Sequence, residues 1–85
     1  MATEKQRRLL NSLVQTIAEH TGHEFGEIKW LAKHRAIRRG YPYRLSEDDV
    51  QPYSETEITT EEAGYLIEEL YQISAETGAL YRENE

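Results

Sequence analysis

Charge is divided along this chain, and any fold must accommodate the division. Residues 1–44 carry nine Lys and Arg against four Glu, a net of +5, whereas residues 45–85 carry twelve Asp and Glu against Arg82 alone, a net of −11. The overall −6 conceals the split. Both halves sit in one short chain, so the surface field depends on how they pack together. Three readings compete. The basic half binds nucleic acid, the acidic half binds a basic partner, or the halves neutralise each other within a monomer or across a dimer.

The 85 residues suffice for a single domain, 1–85, and a domain of that size buries only about 60% of the surface its unfolded chain exposes. The chain has no cysteine, so neither a disulfide framework nor a Cys-based zinc site supplements the core. Its first eight residues, Met1 to Arg8, lack the apolar stretch of a signal peptide, and no apolar run nears the roughly 18 residues of a membrane span. A soluble, cytoplasmic protein without membrane attachment is expected.

Periodicity predicts three helices. From about Glu4 to Thr21, the residues Leu9, Leu10, Leu13, Val14, Ile17 and Ala18 recur on one helical face, and Thr21-Gly22 ends it. The second helix spans roughly Glu24 to Arg39. Its inward stripe is Phe25, Ile28, Leu31, Ala32 and Ile37, with Trp30 to one side, and Gly40-Tyr41-Pro42 is its stop. Arg35, Arg38 and Arg39 suit the negative end of its macrodipole.

The third helix starts at a Thr-x-x-Glu capping box within Thr59-Thr60-Glu61-Glu62. Ala63, Leu66, Ile67, Leu70, Ile73 and Ser74 form its stripe, Thr77-Gly78 closes it, and Leu80 is placed for the apolar contact of a glycine cap. The connection at 41–58 is long for a structureless loop. It is expected to be partly ordered, with either a single helical turn at Ser46-Glu47-Asp48-Asp49 or a short β-hairpin. The fold class is therefore all-α, a three-helix domain. Its expected core is Leu10, Leu13, Val14, Ile17, Phe25, Ile28, Leu31, Leu66, Ile67, Leu70 and Ile73.

Chemistry concentrates in the segment that follows Ile28. Lys29, Lys33, Arg35, Arg38, Arg39 and Arg44 are candidate phosphate contacts, and Trp30, Tyr41 and Tyr43 are candidate stacking rings. Cations release counterions from phosphates and aromatic faces stack on unpaired bases, so the mixture suits single-stranded nucleic acid. The competing account is a solvated helix face. Geometry narrows the choice, because the five cations on the second helix span more than half its circumference. Some must face the acidic half or solvent.

Other chemistry finds little support. His20 and His23 lie on either side of a glycine break and no third ligand follows at a known spacing, so a metal site is rejected. No Gly-rich phosphate loop, nucleophile elbow or His-Glu-x-x-His occurs, and neither an enzyme nor a cofactor is expected. The acidic half has its own sharp reading. Glu47, Asp48, Asp49, Glu55, Glu57, Glu61, Glu62, Glu68 and Glu69 would present an anionic surface to a basic, nucleic-acid-binding protein, as an inhibitor does.

The order of segments resembles the C-terminal part of the NinB family of phage recombination proteins. Glu4-Lys5-Gln6-Arg7-Arg8-Leu9-Leu10, running into Ile17-Ala18-Glu19-His20-Thr21-Gly22, looks like that family's Gln-x-Arg-initiated helix and its Ala-Glu-x-x-Gly end. Glu27-Ile28-Lys29-Trp30-Leu31-Ala32-Lys33 looks like its next helix. The stretch from Ser54 to Glu62, leading to Glu76-Thr77-Gly78, is similar to its last helix. The resemblance covers most of this chain, and residue by residue only Gln6 and Arg7 match the polar start of the family's helix. It implies an accessory protein of phage homologous recombination that binds single-stranded DNA as a dimer.

A thin core and opposite charges on the two halves also favour a symmetric homodimer, with Tyr65, Tyr71 or Tyr81 near the contact. The same pairing of charges is able to close within one chain.

Overall fold

Reciprocal hydrogen bonds at the helix starts set the frame of the molecule. The computed structural model describes residues 1–79, so the expectations placed on Leu80 and Tyr81 lie outside the described residues. Helix α1 (Glu4–Thr21) opens on Thr3, whose Oγ1 accepts from the Gln6 N–H at 3.0 Å while the Thr3 N–H donates to Gln6 Oε1 at 3.1 Å. Helix α3 (Thr60–Thr77) repeats the device with Thr59 and Glu62, at 3.1 and 2.8 Å. Each box satisfies two backbone donors that a helix start leaves without partners. Gln6 does more. Its Nε2 donates to the Thr60 carbonyl at 3.0 Å and fastens the start of α1 to the start of α3.

Helix α2 (Phe25–Ala36) tightens into a 3-10 turn at Ile37–Arg39 and stops at Gly40. Two constraints meet at that glycine. Its φ is +114°, and an added Cβ would lie 3.1 Å from the Tyr65 ring. A side chain there is opposed by the backbone and by its neighbour.

The apolar stripes of the three helices meet in one core. Leu10, Leu13, Val14 and Ile17 of α1 face Ala63, Leu66, Leu70 and Ile73 of α3, while α2 contributes Ile28, Ala32 and Ala36. The predicted core is corrected at two places. Phe25 is 40% exposed and Leu31 38% exposed, because α2 packs along the narrow line of Ile28, Ala32 and Ala36 and leaves both side chains on its flanks. Ile67 is partly buried against the core. Tyr41, Ile58, Ala2 and Ala79 are buried in addition.

The mostly helical, three-helix domain expected from the sequence is thus present, joined by a two-stranded antiparallel sheet. Strands β1 (Tyr43–Ser46) and β2 (Asp49–Pro52) pair Tyr43 with Pro52, Arg44 with Gln51, Leu45 with Val50 and Ser46 with Asp49. Of the two forms expected for the connection, the short β-hairpin is present and the helical turn at Ser46 to Asp49 is not. Glu47 takes a left-handed φ of 55°, which reverses the chain within the two residues Glu47 and Asp48. The sheet is pinned from below. The buried Tyr41 donates from its hydroxyl to the Tyr53 carbonyl at 2.6 Å, the Tyr53 N–H donates to the Pro42 carbonyl at 3.1 Å, and the Ala2 N–H donates to the Ile58 carbonyl at 2.7 Å. Burial first, then the nearby glutamates, pushes the Tyr41 hydroxyl well above the usual tyrosine range. It stays a donor at all ordinary pH. Among the described residues, no helix is long and apolar enough to cross a membrane.

The unequal burial has a measurable consequence. Leu13→Ala empties a fully buried site between helices and is expected to lower unfolding free energy by about 3 kcal/mol, whereas Phe25→Ala costs about 1 kcal/mol or less. Urea denaturation of both variants checks the ranking, and equal losses would return Phe25 to the core.

Candidate nucleic-acid interface

The cations predicted to meet phosphate are sorted by the helix that carries them. Arg35 near the end of α2 and Arg39 in the 3-10 turn that follows stand about one turn apart on the side that faces α3, and both reach Glu69. Arg35 Nε donates to Glu69 Oε1 at 2.7 Å and Arg39 Nε to Glu69 Oε2 at 2.8 Å. The Glu69 side chain is 2% exposed. Arg35 also grips Glu76 with both terminal nitrogens at 2.8 Å, and Arg39 reaches Glu68 at 3.2 Å and Gln72 at 2.8 Å. Burial by itself would raise the Glu69 carboxyl, but the hydrogen bonds from Arg39 and Arg35 hold it below the usual carboxylate range. Both arginines are thereby taken out of the candidate interface. Their charge is matched inside the molecule.

A second carboxylate collects the lysines. Lys29 Nζ lies 2.5 Å from Glu55 Oε1, and Lys33 Nζ lies 2.9 Å from Glu55 Oε2. All three side chains are less than a fifth exposed. Burial opposes ionisation of Glu55, but the two lysine hydrogen bonds prevail and bring its carboxyl down to about 2. Arg44 leans over the Tyr53 ring at 4.2 Å and pairs with Glu57 at 3.4 Å. Arg38 is exposed and makes no hydrogen bond or ion pair with any described residue.

The rings divide as well. Tyr41 is buried and cannot offer a face to a base, which corrects its predicted stacking role. Trp30 is 61% exposed and Tyr43 47% exposed. Trp30 is also braced, because its ring lies 3.9 Å from that of His34 at 34°. His34 is held in turn, with Nδ1 2.9 Å from the Trp30 carbonyl and Nε2 3.3 Å from the Val50 carbonyl of the hairpin. The indole is therefore fixed on one side and open on the other.

Two clefts flank that ring. The first, about 250 Å³, is lined by Gly26, Lys29, Trp30, Lys33 and Pro52. The second, about 470 Å³, is lined by His23, Gly26, Glu27, Ile28, Trp30 and Leu31. Of the nine predicted site residues, Lys29, Trp30 and Lys33 share the first cleft, and Tyr43 is the cross-strand partner of its Pro52. Arg38, Arg35, Arg39, Arg44 and Tyr41 lie outside it. Sequence reasoning placed Glu55 and Glu69 in an anionic surface and did not identify Glu55 as the partner of the lysines, Glu69 as the partner of the arginines, or Pro52 as part of the cleft. Only Glu69 left a local signal, as a charge within the apolar stripe Leu66, Leu70, Ile73. His20 ends α1 and His23 follows Gly22, and no described group of three His, Cys, Asp or Glu is placed to hold a metal ion.

The depressed carboxyls fix how stability changes with pH. Glu55 and Glu69 bind protons less readily when folded than when unfolded, so their contribution is complete above the ordinary carboxylate range and is lost in acid, for Glu55 as pH falls toward about 2. Glu69→Gln leaves two arginines facing a neutral amide and is expected to lower stability by about 3 kcal/mol at pH 7. The deficit should shrink in acid, where the native carboxyl begins to protonate too. Urea denaturation under both conditions measures it, and a deficit independent of pH would show that packing, not charge, is what Glu69 supplies.

Compared with known proteins, the chain matches no family model, no curated protein and no solved structure, so its function has to be argued from the placement of these side chains.

Proposed function

We propose that this chain is a non-enzymatic accessory protein of the phage recombination type, working in the cytoplasm and binding single-stranded DNA at the Trp30 face of α2. The observation that carries the reading is the meeting of Lys29, Trp30 and Lys33 with Pro52 around one cleft, beside a braced and open indole. A base stacks on the free face of Trp30, Tyr43 offers a second ring, and the lysine ammonium groups lie at the edge for phosphate.

Magnitudes decide which force dominates. Lys29 and Lys33 carry one net positive charge once Glu55 is counted, and Arg38 adds another. Each phosphate neutralised on a single strand contributes about −0.7 to the slope of log affinity against log salt, so one or two such contacts give an expected slope of about −0.7 to −1.4. Stacking contributes roughly 1–3 kcal/mol per base and is insensitive to salt. Trp30 outweighs the lysines.

Because Trp30 is the sole tryptophan, its fluorescence reports occupancy directly. Titration with oligothymidine at about 0.1 M salt is expected to quench it, and an end-labelled strand should bind Trp30→Ala about tenfold or more weakly. No quenching at this or lower salt would sink the proposal.

A second reading, an interaction protein that docks a basic protein partner, is favoured by the apolar second cleft, with Phe25 and Leu31 exposed beside it. Of the acids that such a partner would seek, Glu55 and Glu69 are paired and shielded within the chain, whereas Glu47, Asp48 and Asp49 around the hairpin tip are exposed, as are Glu57, Glu61 and Glu68. A stoichiometric partner lost on Leu31→Glu and retained on Lys33→Gln would favour this reading. The homodimer proposed with either function rests on apolar contact, since the charge pairs described above close within one chain. Its mass by light scattering should persist at high salt.

A further inference from the structure

Lys29 and Lys33 stand one turn apart on α2, and each places its ammonium on a different oxygen of the same Glu55 carboxylate. That arrangement has the form of an oxyanion site. Two cations converge on two oxygens of one anionic group, and the non-bridging oxygens of a phosphodiester present a closely similar pair. The anion that fills the site comes from the chain itself. Glu55 lies in the segment that follows β2, beside the Ser54 turn, where Ser54 Oγ accepts from the Thr56 N–H at 3.3 Å and the Ser54 carbonyl accepts from the Glu57 N–H at 3.0 Å.

We propose that the Lys29–Lys33 pair is a phosphodiester-binding site which Glu55 occupies in the unliganded protein, so that a nucleic-acid strand binds by displacing the Glu55 carboxylate. The inference rests on the nucleic-acid reading above and adds to it an internal competitor. Three observations support it. Trp30, the ring available for stacking, shares a cleft with both lysines. Glu55 itself is not a core residue, and Tyr53 and Ile58 on either side of it anchor its segment, so displacing its side chain leaves the α1, α2 and α3 packing intact. The other internally paired anion, Glu69, is buried more deeply, lies on α3 within the core stripe and cannot move out in this way.

Competition of this kind makes Glu55 an inhibitor of binding, which is the opposite of what an acidic residue that contacts ligand would do. Glu55→Gln keeps the shape of the side chain and removes the charge. Oligothymidine titrated against the Trp30 signal is expected to bind this variant about tenfold more tightly than the natural chain. The salt slope should steepen by about 0.7 to 1.4, the share of one or two released lysines. Equal or weaker binding by Glu55→Gln overturns the inference, whatever the natural chain does. Quenching of the natural chain, by contrast, decides the function proposed above. If the natural chain is silent and the variant binds, the site exists and is masked.

A variant that fails to fold, judged by circular dichroism, passes the decision to the natural chain. Amide hydrogen exchange at Thr56 and Glu57 should then accelerate on saturation with oligothymidine, because the Ser54 turn loses its anchor. Unchanged exchange overturns the inference.

Discussion

The face that α2 turns to α3 is held by one carboxylate on α3, shared by an arginine of α2 and an arginine of the 3-10 turn that continues it. Glu69 sits in the apolar stripe of its helix, between Leu66 and Ile73, and is almost wholly removed from solvent. Burying a carboxylate costs several kcal/mol, and the cost is offset only when both oxygens are filled by charge-assisted donors. Arg35 and Arg39 fill them. The net contribution of such a group is smaller than that of a well-packed leucine, but its angular demand is greater. Residues 35 and 39 must point at α3, which fixes the rotation of α2 about its own axis. At 100° per residue, that rotation sends Gly26, Trp30 and Lys33 to the outer side. The exposed indole and the cleft beside it are thus consequences of where Glu69 lies.

The hairpin completes the arrangement. It is held to α2 by His34 at Val50, the segment that follows it is held by both lysines at Glu55, and Tyr41 anchors that segment from below at the Tyr53 carbonyl. The division of charge between the two halves of the chain is resolved by these contacts, since the acidic half folds back onto the basic helix. The groups that stay exposed include apolar and aromatic ones: Phe25, Trp30 and Leu31 on α2, and Tyr43 and Leu45 on β1. Exposed apolar groups in a group rimmed by polar residues mark interaction surfaces.

Local features were legible in the sequence and distant pairings were not. The Thr59 to Glu62 box and the glycine at each helix end are set by neighbours within a few residues, and the helix limits follow from them. The face of α2 was harder to read, because Phe25, Ile28, Trp30, Leu31, Ala32 and Ile37 spread its apolar character around the circumference. Packing selected the line with alanines, Ile28, Ala32 and Ala36, which permits a close approach and leaves Phe25 and Leu31 outside. The hairpin turn lacks the Asn-Gly or Asp-Gly that would have announced it, and Glu47 adopts a left-handed backbone without glycine. Its register is enforced instead by Tyr43 facing Pro52 and Leu45 facing Val50. Glu69 left a readable trace as a charge among leucines, matched by arginines beside Ala32 and Ala36. No local pattern distinguishes Glu55 from the other exposed-looking acids of its segment.

A chain of net charge −6 is an unusual ligand for a polyanion, and the geometry resolves the conflict by distance. At physiological salt, charges more than about 8 Å apart are largely screened, so a strand at Trp30 responds to the charges nearest the cleft. The acids around the hairpin tip act mainly at low salt, where the screening length grows to about 30 Å and the whole molecule repels the strand. Counterion release pulls the other way, favouring binding as salt falls. The two trends oppose each other, which flattens the salt dependence and leaves stacking on Trp30 as the term that selects the ligand. Stacking needs an unpaired base. A duplex keeps its base faces covered and presents only a dense phosphate surface to an acidic protein, so discrimination between single and double strands follows from the same two facts, an open indole and a scarcity of free cations.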